Sequence, residues 1–363
     1  MTTVSEIFRT FSPEHIDQFG GTMPQEHRKA MGAIIDCRTE AAGIAVYECQ
    51  ECGQIFRVNR SCRNRHCPTC QNHKTRQWLE KQLQRQLPGH HFMITFTVPE
   101  DLRRTIRSNQ RVSYSAMFTT SSDTITKLAK DEKHMGGDLP GFFGVLHTWG
   151  RTQEYHPHIH YVVAGGALST KDRTWHPSRV DFYLPVRALS RIFRAKFKDE
   201  MIKAGLFDSI PAHVWQQEWN VNCQAVGESQ ASLKYLAPYV FKVAISNHRI
   251  VKVEDHTVFF RYRKTHSNRW RTMALDAMEF IRRFLQHVLP TGFMKVRYYG
   301  FLNPNCKVGL DTISTLIELS YGFRISRPEV ELEPWESITC SKCGGTLRLR
   351  LIILPGGTVI EPG

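Results

Sequence analysis

The feature that most constrains how this chain folds is the run Tyr155-His-Pro-His-Ile-His-Tyr-Val-Val163, in which His158 and His160 stand two residues apart at the head of an apolar stretch. In a strand, side chains alternate faces with period two, so both imidazoles project from one face while Ile159 and Tyr161 enter the other. Two convergent imidazoles on a rigid strand form a chelate; a histidine-rich loop ahead of a buried strand is the plainer alternative. Phe142 to Trp149 also reads as a strand, with Phe143, Val145, His147 and Trp149 on one face. A hairpin across Gly150 to Pro157 in symmetric register sets His147 opposite His160, which makes His147 the natural third ligand. Glu154 competes for that role, and a core histidine bonded to backbone is the other reading of His147. His156, cut off from the strand by Pro157, is expected to turn away from the metal or to contact a bound partner.

The ten cysteines are clustered: six lie between Cys37 and Cys70, and two more form Cys340-Ser-Lys-Cys343. With no secretory segment at the start, this clustering fits metal thiolates in a reducing compartment better than a disulfide framework. Cys49-x-x-Cys52 and Cys67-x-x-Cys70 supply two thiolate pairs, the ligands expected to close one tetrahedral structural Zn²⁺ site. Cys62 and His66 are further potential ligands within the loop. Arg57, Arg60, Arg63 and Arg65 make that loop basic, suited to phosphates or simply a solvated face. Cys340 and Cys343 give half a site, to be completed by Cys306 and another residue, completed by a second chain, or left empty.

A net charge of +14 argues for a polyanionic partner, nucleic acid before membrane. No window approaches the roughly 18 apolar residues of a membrane span, so the chain reads as cytosolic. Organisation is expected as a helical lead-in over 1–45, a zinc-binding domain over 46–75, a main domain over 88–300 and a C-terminal region over 301–363. In the main domain, Phe92, Ile94, Phe96 and Val98 share one strand face. Helices are predicted over Tyr114–Lys130, Leu189–Leu206 and Ala277–Leu289, and strand character over Thr257–Arg263. Tyr235 and Tyr239 are four apart, so on a helix two phenols share a face, although Pro238 between them implies a kink or a helix start. A core stripe is the bland reading. The chemical one is that a phenol attacks a phosphodiester when a divalent ion polarises the phosphate, conserving the bond energy as a 5′-phosphotyrosyl link.

The run HPHIHYVV, the tyrosine pair in SLKYLAPYVFKVAISNHRI, the segment FIRRFLQHVLPTGFMKVRYYG, and CQECG with SCRNRHCPTCQ together resemble the IS91 family of rolling-circle insertion-sequence transposases, of the two-tyrosine HUH class. The resemblance covers about Cys49 to Gly300. It implies an α+β fold, the HUH endonuclease sheet of antiparallel strands flanked by helices, behind a zinc-binding domain of the four-cysteine type. It further implies His158 and His160, with His147, as ligands of Mg²⁺ or Mn²⁺, and Tyr235 and Tyr239 as nucleophiles. Cys49, Cys52, Cys67 and Cys70 match the zinc-binding head. Lys234, Lys242 and Arg249, near the tyrosines, join Arg60, Arg63 and Arg65 as expected DNA contacts. The implied partners are single-stranded transposon ends and a target strand, with a host helicase as a possible helper, in a bacterial cytoplasm at the nucleoid. A plasmid or phage replication initiator, or a non-catalytic zinc-dependent DNA-binding regulator, are the alternatives.

Overall fold

The computed structural model describes residues 2–70, 77–82, 87–228, 244–264, 267, 269–322, 324 and 338–361. In chain order the helices are α1 (Val4–Phe19), α2 (Gln25–Asp36), α3 (Arg103–Ser108), α4 (Gln110–Lys130), α5 (Val186–Lys203), α6 (Ala277–Leu285) and α7 (Leu310–Tyr321). The strands are β1 (Ile44–Cys49), β2 (Ile55–Asn59), β3 (His90–Thr97), β4 (Leu139–Trp149), β5 (Tyr155–Ser169), β6 (Thr174–Pro177) and β7 (Val221–Glu228). They continue as β8 (Ile250–Glu254), β9 (Thr257–Arg263), β10 (Trp270–Asp276), β11 (Val296–Tyr299), β12 (Leu347–Ile353) and β13 (Val359–Ile360). No helix among the described residues is long and apolar enough to cross a membrane.

The contacts divide the chain into two units: Met1–Lys74 with Phe241–Val288 and Glu331–Gly363, and Thr75–Val240 with Leu289–Val330. In the first unit β12 pairs antiparallel along β1 from Ile44↔Ile353 to Cys49↔Leu347. Phe8 of α1 meets Phe284 of α6 edge-on at 5.1 Å, in a core that also holds Ile34, Phe260 and Phe280. α1 begins where Thr3 and Glu6 form a reciprocal capping box, satisfying donors that a helix start leaves free. This unit carries a four-stranded sheet, β13-β12-β1-β2, and a three-stranded sheet, β10-β9-β8.

The second unit is built on an antiparallel sheet of order β11-β4-β5-β3-β7, with β6 added to β5. Period-two alternation gives it two unlike faces. On one, Phe92, Ile94, Phe96, Phe142, Leu146, Ile159, Tyr161 and Val163 are buried with residues of α4 and α5. Phe96 meets Phe193 of α5 at 5.0 Å, and the buried Tyr161 hydroxyl bonds Ser121 of α4 at 2.7 Å, which satisfies its one polar atom. The other face carries Thr95, Thr97, His147, His158 and His160. The antiparallel sheet flanked by helices that the sequence implied is thus present, and its polar face is where the chemistry can sit.

Candidate metal and strand-cleavage centre

β5 delivers His158 and His160 to one face, since burial along its head alternates between buried Tyr155, Pro157, Ile159 and Tyr161 and half-buried His156, His158 and His160. β4 supplies His147 beside them. The expected register is corrected: His147 stands opposite His158, and Val145 opposite His160. The cause is a short loop and a bulge. β5 begins at Tyr155, Trp149 pairs with Tyr155, and one residue of β4, Thr148, then faces His156 and Pro157. Pro157 is tolerated there because a bulge spares it from ladder bonding. The observed register differs from the expected one by two residues, so parity is kept and His147 still shares the face of the other two. The three imidazoles present ligand nitrogens within 4.8 Å of one another.

Their outer partners prepare the nitrogens for a cation. His158 Nδ1 lies 2.6 Å from the carbonyl oxygen of His156, which can only accept, so Nδ1 holds the proton and Nε2 keeps its lone pair. Thr95, directly across the ladder in β3, places its hydroxyl 2.9 Å from His160 Nδ1 and can fix the same tautomer. Burial, reinforced by the neighbouring His160, holds His158 well below the ordinary imidazole range, so it is neutral near pH 7 and needs no deprotonation to bind. His147 is buried and stacks on Trp149 at 4.8 Å, which restricts its ring. Three imidazole nitrogens on one side of an ion suit a borderline divalent metal with open positions left for substrate oxygens.

The competing candidates are engaged elsewhere. Glu154 folds back on the hairpin loop, its carboxylate accepting from the backbone N–H of Thr152 at 3.0 Å and from the Thr152 hydroxyl. His156 lies inside β5 and not ahead of it, and its Nδ1 accepts from Arg103 at 2.6 Å. Tyr235, Tyr239, Lys234 and Lys242 lie outside the described residues. Arg60, Arg63, Arg65 and Arg249 all belong to the first unit. Arg63 is exposed, whereas Arg65 is half-buried and its pKa is lowered by that burial. Arg249 donates to the carbonyl of Arg261 at 2.7 Å and sits 5.8 Å from the Phe260 ring, so part of its charge is spent on the three-stranded sheet. Thr95 went unassigned in the sequence; its signal is the polar phase of β3, where Thr95 and Thr97 alternate with Ile94 and Phe96.

The cysteines do not gather as one site. Cys67 and Cys70 join Cys37 and Cys62, while Cys49 and Cys52 join Cys340 and Cys343. The reason is the β1–β2 hairpin. Its turn carries Cys49 and Cys52 at one end, and Ile44 pairs with Asn59 at the other, where α2 ends at Cys37 and the segment to Cys70 departs. A six-residue strand separates the two ends by about 17 Å, so Cys52 and Cys67 cannot share an ion. In the first cluster the sulfurs of Cys37 and Cys70, Cys62 and Cys70, and Cys67 and Cys37 are 3.5, 3.6 and 3.7 Å apart. A zinc tetrahedron with bonds of about 2.3 Å has edges of about 3.8 Å, so these sulfurs fit Zn²⁺ and are too far apart for disulfides. His66 belongs to neither group, and neither does Cys306.

Comparison with known proteins gives concordant matches. The family model described as "Transposase zinc-binding domain" matches residues 7–98, and the one described as "Putative transposase" matches residues 141–308. The chain is 38% identical over 320 residues to "Putative transposase y4qJ" of Sinorhizobium fredii, covering 82% of this chain and 80% of that relative. It is 25% identical over 339 residues to the transposase for insertion sequence element IS801 of Pseudomonas savastanoi pv. phaseolicola, covering 85% of this chain and 80% of that relative. No solved structure matches significantly.

Proposed function

Because the chain belongs to the IS91 family of transposases, enzymes that act on DNA, we propose that it nicks and rejoins single-stranded transposon ends through 5′-phosphotyrosyl intermediates. The observation that carries this reading is the convergence of His147, His158 and His160 on the polar face of the central sheet. Mg²⁺ or Mn²⁺ held by these three residues would supply Lewis-acid polarisation of the scissile phosphate. The protein's part is to aim the imidazoles: at His158 and His160 the His156 carbonyl and the Thr95 hydroxyl occupy the Nδ1 positions, leaving Nε2 for the ion. The nucleophile is the phenol oxygen of Tyr235 or Tyr239. It forms a bond to phosphorus as the bond from phosphorus to the 3′ oxygen breaks; the phenol proton is lost and the 3′ oxygen leaves as a hydroxyl. The reverse step, with a 3′-hydroxyl of another strand as attacker, joins strands without an external energy source.

The cationic residues Lys234, Lys242, Arg249, Arg60, Arg63 and Arg65 are assigned to the phosphate backbone, in line with the net charge of +14. The deciding experiment incubates the full chain with labelled single-stranded element-end DNA and Mn²⁺, followed by denaturing electrophoresis. A covalent adduct is expected, lost in His158→Ala and in the Tyr235→Phe/Tyr239→Phe double variant. Absence of an adduct at every element end, or its survival in the double variant, refutes the reading.

A further inference from the structure

We infer that Cys49, Cys52, Cys340 and Cys343 bind a second Zn²⁺, separate from the Cys37, Cys62, Cys67 and Cys70 site, and that this ion holds the C-terminal segment onto the N-terminal sheet. The matched zinc-binding segment, residues 7–98, contains the whole of the first cluster but half of the second, whose remaining ligands lie far downstream. The two halves are near copies. Each is Cys-x-x-Cys-Gly, and in each the glycine has positive φ, +67° at Gly53 and +78° at Gly344. In each, that glycine's N–H donates to the carbonyl of the first cysteine, at 3.0 Å for Gly53 to Cys49 and 2.8 Å for Gly344 to Cys340. The first cysteine's own N–H donates five residues ahead, Cys49 to Gln54 at 2.9 Å and Cys340 to Gly345 at 2.7 Å. Two identical turns thus present two sulfurs each to a common point.

The sulfur geometry fits a tetrahedral ion. Cys49 and Cys343 are 3.4 Å apart and Cys52 and Cys340 3.8 Å, against an edge of about 3.8 Å for a zinc thiolate tetrahedron. The backbone N–H of Lys342 points at Cys340 Sγ at 3.4 Å, a bond that stabilises a thiolate. Cys52 and Cys343 are exposed, so an ion has a path in. The surrounding sheet also needs such a staple. Of the residues in β1, β2, β12 and β13, Cys49 alone is buried. With so little apolar burial, the pairing of β12 with β1 rests on the metal, as in small modules that fold only when loaded.

The test is metal content of the purified full chain, measured by plasma mass spectrometry, with Co²⁺ reconstitution as a spectroscopic readout. Two zinc ions per chain are expected, falling to one in Cys340→Ser/Cys343→Ser and separately to one in Cys62→Ser/Cys70→Ser. The Co²⁺ form should show thiolate charge-transfer and tetrahedral d–d bands at half the wild-type intensity in either variant. Cys343→His, which keeps a zinc donor, should restore the second ion and guards against loss through misfolding. One zinc in the wild-type chain, or two in Cys340→Ser/Cys343→Ser, overturns the inference.

Discussion

Replacing Thr95 with valine isolates the part that a non-ligand plays in the histidine centre. The substitution keeps volume and β-branching, so β3 should hold its place between β5 and β7, where Thr95 pairs with His160 on one side and Asn222 on the other. What is lost is the 2.9 Å contact to His160 Nδ1. A neutral hydrogen bond contributes about 1 kcal/mol net, and removing the outer partner of a metal-bound imidazole costs roughly 10–100-fold in affinity. With the hydroxyl gone, that contact no longer holds the proton on Nδ1, and the Nε2–H tautomer cannot ligate through Nε2. A tenfold loss, about 1.4 kcal/mol, is therefore the expected minimum. The assay is Mn²⁺ affinity by calorimetric titration, alongside adduct formation as a function of Mn²⁺. The half-saturating concentration should rise at least about tenfold, with the plateau rate recovered at saturation and zinc content unchanged. Unaltered Mn²⁺ affinity would refute the assignment of Thr95 as a positioning residue, and a plateau that stays low would show that it acts on the reaction itself.

His147→Ala should weaken Mn²⁺ binding by more than about tenfold while leaving zinc content intact, since one of three nitrogens is removed from the second unit and none from the cysteine clusters; zinc loss would contradict the separation of the sites. Gly144→Ala should destabilise the protein by about 1–3 kcal/mol in denaturant titration, because the added Cβ would stand 2.4 Å from the ring of Tyr161, which its bond to Ser121 holds in place. Burial pushes the buried His91 imidazole down to about 4, with His90 adding to the shift, so the folded state favours the neutral form. The stabilisation is therefore complete above the unfolded value near 6.5 and is lost as pH falls through about 4, a span of roughly 3 kcal/mol. His91→Gln should flatten that part of the stability curve relative to the wild-type chain; an unchanged slope between pH 6.5 and 4 would contradict it.

The histidine centre was legible because it depends on parity and not on register. His158 and His160 needed only the strand period, and His147 remained on their face although its partner across the ladder is His158 instead of His160. The exact pairing was hidden because it is set by the bulge at Thr148 and by Glu154 closing the loop, local bonds with no periodic signature. The division of the cysteines was hidden for a related reason. Ile55–Asn59 is largely exposed, so its alternation carries no hydrophobic signal, and without the hairpin the spacing of Cys52 and Cys67 looks like that of one site. The discriminating residue is the glycine that follows two of the three Cys-x-x-Cys pairs. Gly53 and Gly344 adopt positive φ to close matching turns, whereas Cys70 is followed by Gln71 and its cluster is completed by Cys37 at the end of α2. A positive-φ turn is a backbone requirement that only a few residue types meet, so glycine position sorts thiolate pairs where cysteine spacing alone cannot.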